Sequence, residues 1–128
     1  MLSKGSGTWI SWNENLSYPY ENLYQVSTEE ELSKAIARSD EIRFFGTKQS
    51  SADIAAGSAS LIDMRSYNKI LATNDAEKLI TVQSGVFLVD LIEAVEAKGW
   101  CIPCLPDINT VTVGGALATG THGTSGKL

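Results

Sequence analysis

Apolar and polar positions change spacing several times along the chain, and the changes predict a mixture of short strands and two longer helices. Residues 23–26 (Leu-Tyr-Gln-Val) read as a short strand. Ser27-Thr28-Glu29-Glu30 follows as a capping box, with Ser27 as N-cap and Glu30 three positions on. Leu32, Ala35 and Ile36 then supply the buried stripe of a helix reaching about Arg38. Residues 42–45 form an apolar strand ended by Gly46. Residues 61–64, 69–72 and 79–82 read as further strands, with Asn74-Asp75 turning between the last two. The clearest helix covers 86–97, where Leu88, Leu91, Ile92 and Val95 line one side and Asp90, Glu93 and Glu96 the other. Gly99 suits its stop. Strands interleaved with two helices indicate an α+β or α/β unit. Residues 1–23, with Trp9, Trp12, Tyr18 and Tyr20, show neither period and are expected to lie extended across the domain formed by residues 24–128.

Two segments stand outside this pattern. Gly46-Thr47-Lys48-Gln49-Ser50-Ser51 is a polar loop placed directly after a strand. Gly46 permits a tight turn, and successive N–H groups of small polar residues can form an anion-binding nest. Thr47, Ser50 and Ser51 add hydroxyls, and Lys48 adds charge. An ordinary turn is the competing explanation. The second segment holds five of the eleven glycines, at 114, 115, 120, 123 and 126. Between Pro103 and Leu128 only Asp107 and Lys127 carry charge, so the backbone there can come very close to another group. Residues 110–118 can open a short helix whose first N–H groups point at a ligand. The segment is neither a G-x-G-x-x-G fingerprint after a strand nor a Walker A loop, since Gly126-Lys127-Leu128 fails at its last position. A glycine-rich turn packing helix on strand is the plainer alternative. His122, the only histidine, reads more readily as a structural hydrogen-bonding group than as a catalyst.

Composition narrows the function classes. A chain of 128 residues with 43% hydrophobic and 20% charged residues suits one globular domain. A net charge of -5 argues against a general nucleic-acid binder, yet leaves room for an anionic small ligand held by local N–H groups. Cys101-Ile102-Pro103-Cys104 lacks a second ligand pair for zinc, and the turn after it does not suit a thioredoxin-like motif. Two partly buried thiols are expected, and no metal site. No apolar run approaches the roughly 20 residues that span a bilayer, and the first residues lack an apolar signal core. A cytoplasmic location is expected.

Several motifs follow one another in order. They are Trp12-Asn13, then 46–55 (GTKQSSADIA), Asn68-Lys69-Ile70-Leu71, 80–86 (ITVQSGV), Thr112-Val113-Gly114-Gly115 and Gly120-Thr121-His122-Gly123. This series resembles the first half of the FAD-binding domain of the vanillyl-alcohol oxidase superfamily, and within it the aldonolactone and alditol oxidases. The resemblance covers about residues 9–128. It implies an α+β fold, the first lobe of a two-lobed FAD-binding domain, with a small sheet packed with helices. It implies that Gly46, Thr47, Lys48, Gln49 and Ser50, and Gly114, Gly115, Gly120, Thr121, His122 and Gly123, wrap the FAD pyrophosphate and approach the isoalloxazine. It further implies hydride transfer from a sugar-derived alcohol or lactone to flavin. Many members carry a flavin-linking histidine where this chain has Gln49, and an amide is too poor a nucleophile for that bond. FAD is therefore expected to be held non-covalently. The catalytic residues are expected beyond Leu128, the chain reading as a truncated lobe that is inactive alone and self-associates through an apolar face. A non-catalytic nucleotide- or partner-binding module, or an inactive truncated domain, is the alternative.

Overall fold

The computed structural model describes residues 5–55 and 57–126. Contacts divide between two compact units, one ending at Tyr67 and the other beginning at Asn68. The first holds β1 (Gly7–Ile10), β2 (Ser17–Tyr20), β3 (Asn22–Gln25), α1 (Glu29–Ala37), β4 (Ile42–Phe45) and β5 (Ser60–Asp63). The second holds β6 (Ile70–Asn74), β7 (Leu79–Val82), α2 (Leu88–Glu96) and α3 (Val113–Ala118). The α+β expectation holds.

In the first unit a parallel sheet runs in the order β3-β5-β4, with Asn22 and Ile42 both in register with Ser60. All four residues of the central β5 are buried, as a parallel strand covered on both faces requires. Side-chain alternation sends Ile62 one way and Leu61 the other. Ile62 joins Tyr24, Val26, Ala35 and Met64, with Leu32, Ile42 and Tyr67 at the margin, under α1. Leu61 joins Trp9 and Phe45, flanked by Leu16, Tyr18, Tyr20 and Leu23. The cover on that second side is an antiparallel β1–β2 hairpin. The sequence gives it no period because its strands are four residues long and β1 buries only Trp9.

Two details of α1 depart from expectation. The N-cap is Thr28 rather than Ser27: Thr28 is extended, and its Oγ1 accepts from the N–H of Glu31 at 3.2 Å. The Glu31 carboxylate reaches back to the N–H and hydroxyl of Ser27, so the capping box is shifted by one residue. Ile36 is 45% exposed and lies off the buried stripe, which Ala35 and Leu32 carry.

In the second unit β6 and β7 pair antiparallel, with an irregularity between Ile70 and Ala72. The turn is built by Asn74, whose Oδ1 accepts from the N–H groups of Ala76 and Glu77. Lys98 of the segment after α2 reaches Asp75 of this turn at 2.7 Å. Helix α2 begins at Leu88, two residues later than its apolar pattern suggests. Its cap Phe87 offers no side-chain oxygen, and the N–H groups of Leu88 and Val89 donate instead to the carbonyls of Val111 and Asn109. The helix stops as expected: Gly99 has φ +71°, and the N–H groups of Gly99 and Trp100 close onto Glu96 and Val95.

Candidate functional site

Strands β3, β4 and β5 are parallel, so their carboxyl ends share one edge of the sheet, the edge where ligands of such sheets commonly bind. The loop 46–51 leaves β4 at that edge, and Gly46, Thr47, Lys48, Gln49 and Ser50 are all half-buried. Among the described residues, no group of the chain accepts from the backbone N–H of residues 47–51. The next N–H, that of Ala52, is capped by Ser50 Oγ at 3.2 Å. Residues 47–50 are half-buried and Ser51 is exposed; five successive N–H groups without an acceptor among the described residues make a set of donors suited to an anion.

Lys48 sits in the left-handed region at φ +62°, a conformation that costs a non-glycine residue about 1 kcal/mol or more. What holds it there is visible on both sides of the peptide. Its carbonyl accepts from the Trp12 N–H at 2.9 Å. Its ammonium lies 5.7 Å from the Trp9 ring centre and 5.4 Å from that of Phe45, two rings that themselves meet edge to face. Burial pushes the ammonium below the ordinary lysine value, the nearby Arg65 adds to this, and Asp63 opposes it.

Asp63 and Arg65 were not foreseen as part of this edge. Asp63 ends β5 and is buried, with Arg65 Nε at 2.9 Å from Oδ1 and Nη2 at 2.6 Å from Oδ2; the Arg65 N–H donates to Oδ1 as well. The hydrogen-bonded carboxylate holds the guanidinium above its ordinary value. An acidic residue closing the apolar run Leu61-Ile62, two places before an arginine, was the available sequence signal.

The second candidate stretch lies in the second unit. Thr112 caps α3, its Oγ1 accepting from Gly115 N–H at 3.2 Å. The N–H groups of Val113 and Gly114 donate to the carbonyls of Val86 and Ser84. The first N–H groups of α3 are thus committed within the chain, contrary to the expectation that they point at a ligand. A Cβ on Gly114 would stand 2.8 Å from Ser84 Cβ and 3.0 Å from Ser84 O, and one on Gly123 would collide with the Leu105 carbonyl. Both glycines are needed for close packing of the chain on itself. Gly120 takes φ +61° just after the helix. Beyond it, Thr121 and His122 are exposed; the Thr121 hydroxyl meets that of Thr119, and His122 Nδ1 donates to the Gly123 carbonyl at 2.8 Å. Leu117, 78% exposed, leaves the adjacent face of α3 open.

Of the two cysteines, Cys104 is half-buried beside Gly123, whereas Cys101 is exposed rather than partly buried. No helix among the described residues is long and apolar enough to cross a membrane.

The end of a parallel sheet carrying a run of open N–H groups and a lysine defines an anion-binding class of loop. The family model described as FAD binding domain matches residues 21–128, and the chain belongs to that family. Its curated relatives include L-gulonolactone oxidases. L-gulonolactone oxidase 3 of Arabidopsis thaliana is 31% identical over 128 residues, covering 94% of this chain and 22% of the relative. L-gulonolactone oxidase of Mus musculus is 28% identical over 121 residues, covering 91% of this chain and 28% of the relative. Among solved structures, a cholesterol oxidase variant from Brevibacterium sterolicum superposes with a TM-score of 0.75 at 18% identity, over 97% of this chain and 25% of that one. An alkyldihydroxyacetonephosphate synthase superposes at 0.64 and 21% identity, over 82% of this chain and 21% of that one. The fold is that of the vanillyl-alcohol oxidase family of FAD oxidases, and the chain spans between about a fifth and 28% of the length of these proteins.

Proposed function

We propose that this chain is the FAD-cradling part of an FAD-linked oxidoreductase that oxidises a sugar-derived alcohol or aldonolactone. The observation that carries this reading is the run of N–H groups at 47–51 with no acceptor among the described residues. Those donors suit the oxygens of a diphosphate, and Lys48 adds positive charge to the same loop. Gly46, Thr47, Lys48, Gln49 and Ser50 hold the diphosphate; Gly114, Gly115, Gly120, Thr121, His122 and Gly123 of the second unit are assigned to FAD on the sequence resemblance alone. Since Gly114 and Gly123 are already used in packing, their contribution is to let the backbone adopt this path, while the exposed Thr121 and His122 supply polar groups. FAD, when bound, supplies the hydride acceptor; the chain's residues bind and orient it.

Gln49 is half-buried, and its side-chain amide makes no hydrogen bond among the described residues. It is available to donate to the cofactor, and it has no nucleophile for a covalent link. The cofactor is therefore held non-covalently. The aldonolactone type of substrate rests on the relatives, which are oxidases of L-gulonolactone. Mixing the purified chain with FAD, removing free FAD by gel filtration and recording the visible spectrum tests the cofactor reading. Flavin absorption travelling with the protein is expected, and acid precipitation of that sample should leave a colourless pellet. A protein peak without flavin absorption would refute binding by this chain, and a yellow pellet would refute the non-covalent mode.

A further inference from the structure

The β1–β2 hairpin lies before residue 21, outside the segment that the family model matches, yet it makes three kinds of contact with the loop 46–51 or its lysine. Trp12 donates its N–H to the Lys48 carbonyl at 2.9 Å. Asn15 donates from Nδ2 to the Ser51 carbonyl at 3.3 Å. Trp9 sets its ring against the Lys48 ammonium. The two carbonyls taken by the hairpin, those of Lys48 and Ser51, enclose the open N–H groups of 49–51. In a trans peptide the N–H points opposite to the carbonyl that precedes it. Drawing the Lys48 carbonyl toward the hairpin therefore turns the Gln49 N–H away from it, while the Ser51 carbonyl anchors the far end of the loop, where the Ala52 N–H is held by Ser50 Oγ.

The hairpin turn is itself tied so that these two donors keep their spacing. Ser11 is buried, and its single hydroxyl proton is shared between Asn15 Oδ1 at 2.9 Å and Asn13 Oδ1 at 3.0 Å, so that Asn15 presents Oδ1 to Ser11 and Nδ2 to Ser51. The Leu16 N–H donates back to Ser11 Oγ at 3.0 Å, and the Ser11 N–H donates to the Leu16 carbonyl. Asn13 also accepts from Ser11 but makes no contact with residues 46–51.

We infer that Asn15 is a positioning residue of the FAD site: with the Trp12 N–H it braces the loop 46–51 at two carbonyls, holding Lys48 in its left-handed conformation and the Gln49 N–H turned away from the hairpin. The brace lowers the ordering cost that a flexible loop would bring to binding. This inference rests on the proposal that loop 46–51 holds the FAD diphosphate, and the experiment below separates the two.

The test uses the whole chain in wild-type form and as Asn15→Ala and Asn13→Ala variants. Backbone ¹⁵N relaxation of the ligand-free proteins reads the loop directly. Wild type and Asn13→Ala should keep order parameters for 47–51 near those of β4, while Asn15→Ala should drop them toward the flexible range below about 0.6. FAD and ADP titrations read the consequence: Asn15→Ala should weaken both by about three- to ten-fold, the range one neutral hydrogen bond spans, with Asn13→Ala unchanged. The thermal midpoint of Asn15→Ala should stay near that of wild type, since the bond is solvent-exposed. An Asn15→Ala loop as ordered as wild type overturns the brace, whatever binds. An Asn15→Ala loop that loosens in a chain whose wild type binds neither FAD nor ADP upholds the brace and overturns the diphosphate reading. Loosening with unchanged affinity overturns the positioning role.

Discussion

Glycine 114 and lysine 48 show how single residues on the candidate loops answer to different forces. Gly114 sits where a methyl group would press on Ser84 Cβ and its carbonyl, so Gly114→Ala should destabilise the second unit by about 1–3 kcal/mol. Urea denaturation measures this, and an unchanged midpoint would show that the backbone yields there. Lys48 is strained by its φ and desolvated by Trp9 and Phe45. Its depressed ammonium value means that charge is lost at lower pH than in an ordinary lysine. ADP affinity should accordingly begin to fall with rising pH while exposed lysines are still charged, and Lys48→Arg should flatten that fall. A wild-type affinity whose pH dependence matches that of the Lys48→Arg variant would contradict the assignment of Lys48 to the anion. For stability the sign is opposite to that of a stabilised cation. Burial penalises the charged form, so this penalty is full below the folded value and vanishes as pH rises through the window up to the unfolded one. Arg65→Ala, which strips a buried carboxylate of its bidentate partner, should cost about 2 kcal/mol in the same denaturation assay.

At the scale of elements, what the sequence allowed depended on length and on local chemistry. Strand β4 and strand β7 occupy the residues that the apolar pattern marked, because each holds three apolar residues out of four, with Arg43 or Thr81 the exception, between polar or glycine breaks. The end of α2 was equally legible, since Gly99 adopts the positive φ that its residue type permits. The start of α2 was not. Its first N–H groups are satisfied by carbonyls at 109 and 111, about twenty residues on, and no local pattern encodes such a partner. The capping box of α1 was misplaced by one because Ser27 and Thr28 are both competent caps; only the extended backbone of Thr28 decides. Thr28→Ala should therefore lower stability by about 1 kcal/mol, and Ser27→Ala by less, in thermal melts. Equal losses would return the cap to Ser27. For the candidate loops, the polar run 46–51 was readable as donors, but Asp63, Arg65 and Asn15 reach it through tertiary contacts that spacing along the chain does not reveal.

For the molecule as a whole, the α+β architecture and membership of the FAD binding domain family fit one reading of two dissimilar units. The first unit places open N–H donors at a parallel-sheet edge and braces them with an N-terminal hairpin. The second spends its helix N–H groups internally and leaves Leu117, Thr121 and His122 at its surface. Gln83, for which the sequence offered no role, extends the β6–β7 ladder by accepting the Lys69 N–H through its side chain and donating its own N–H to the Lys69 carbonyl. The central claim is that the N–H groups of 47–51 receive the FAD diphosphate. Amide chemical-shift mapping of the ¹⁵N-labelled chain during addition of ADP tests it most directly. The largest shifts should fall on the amides of residues 47–51. Saturable binding that leaves those amides unmoved, or no binding at all, would contradict it.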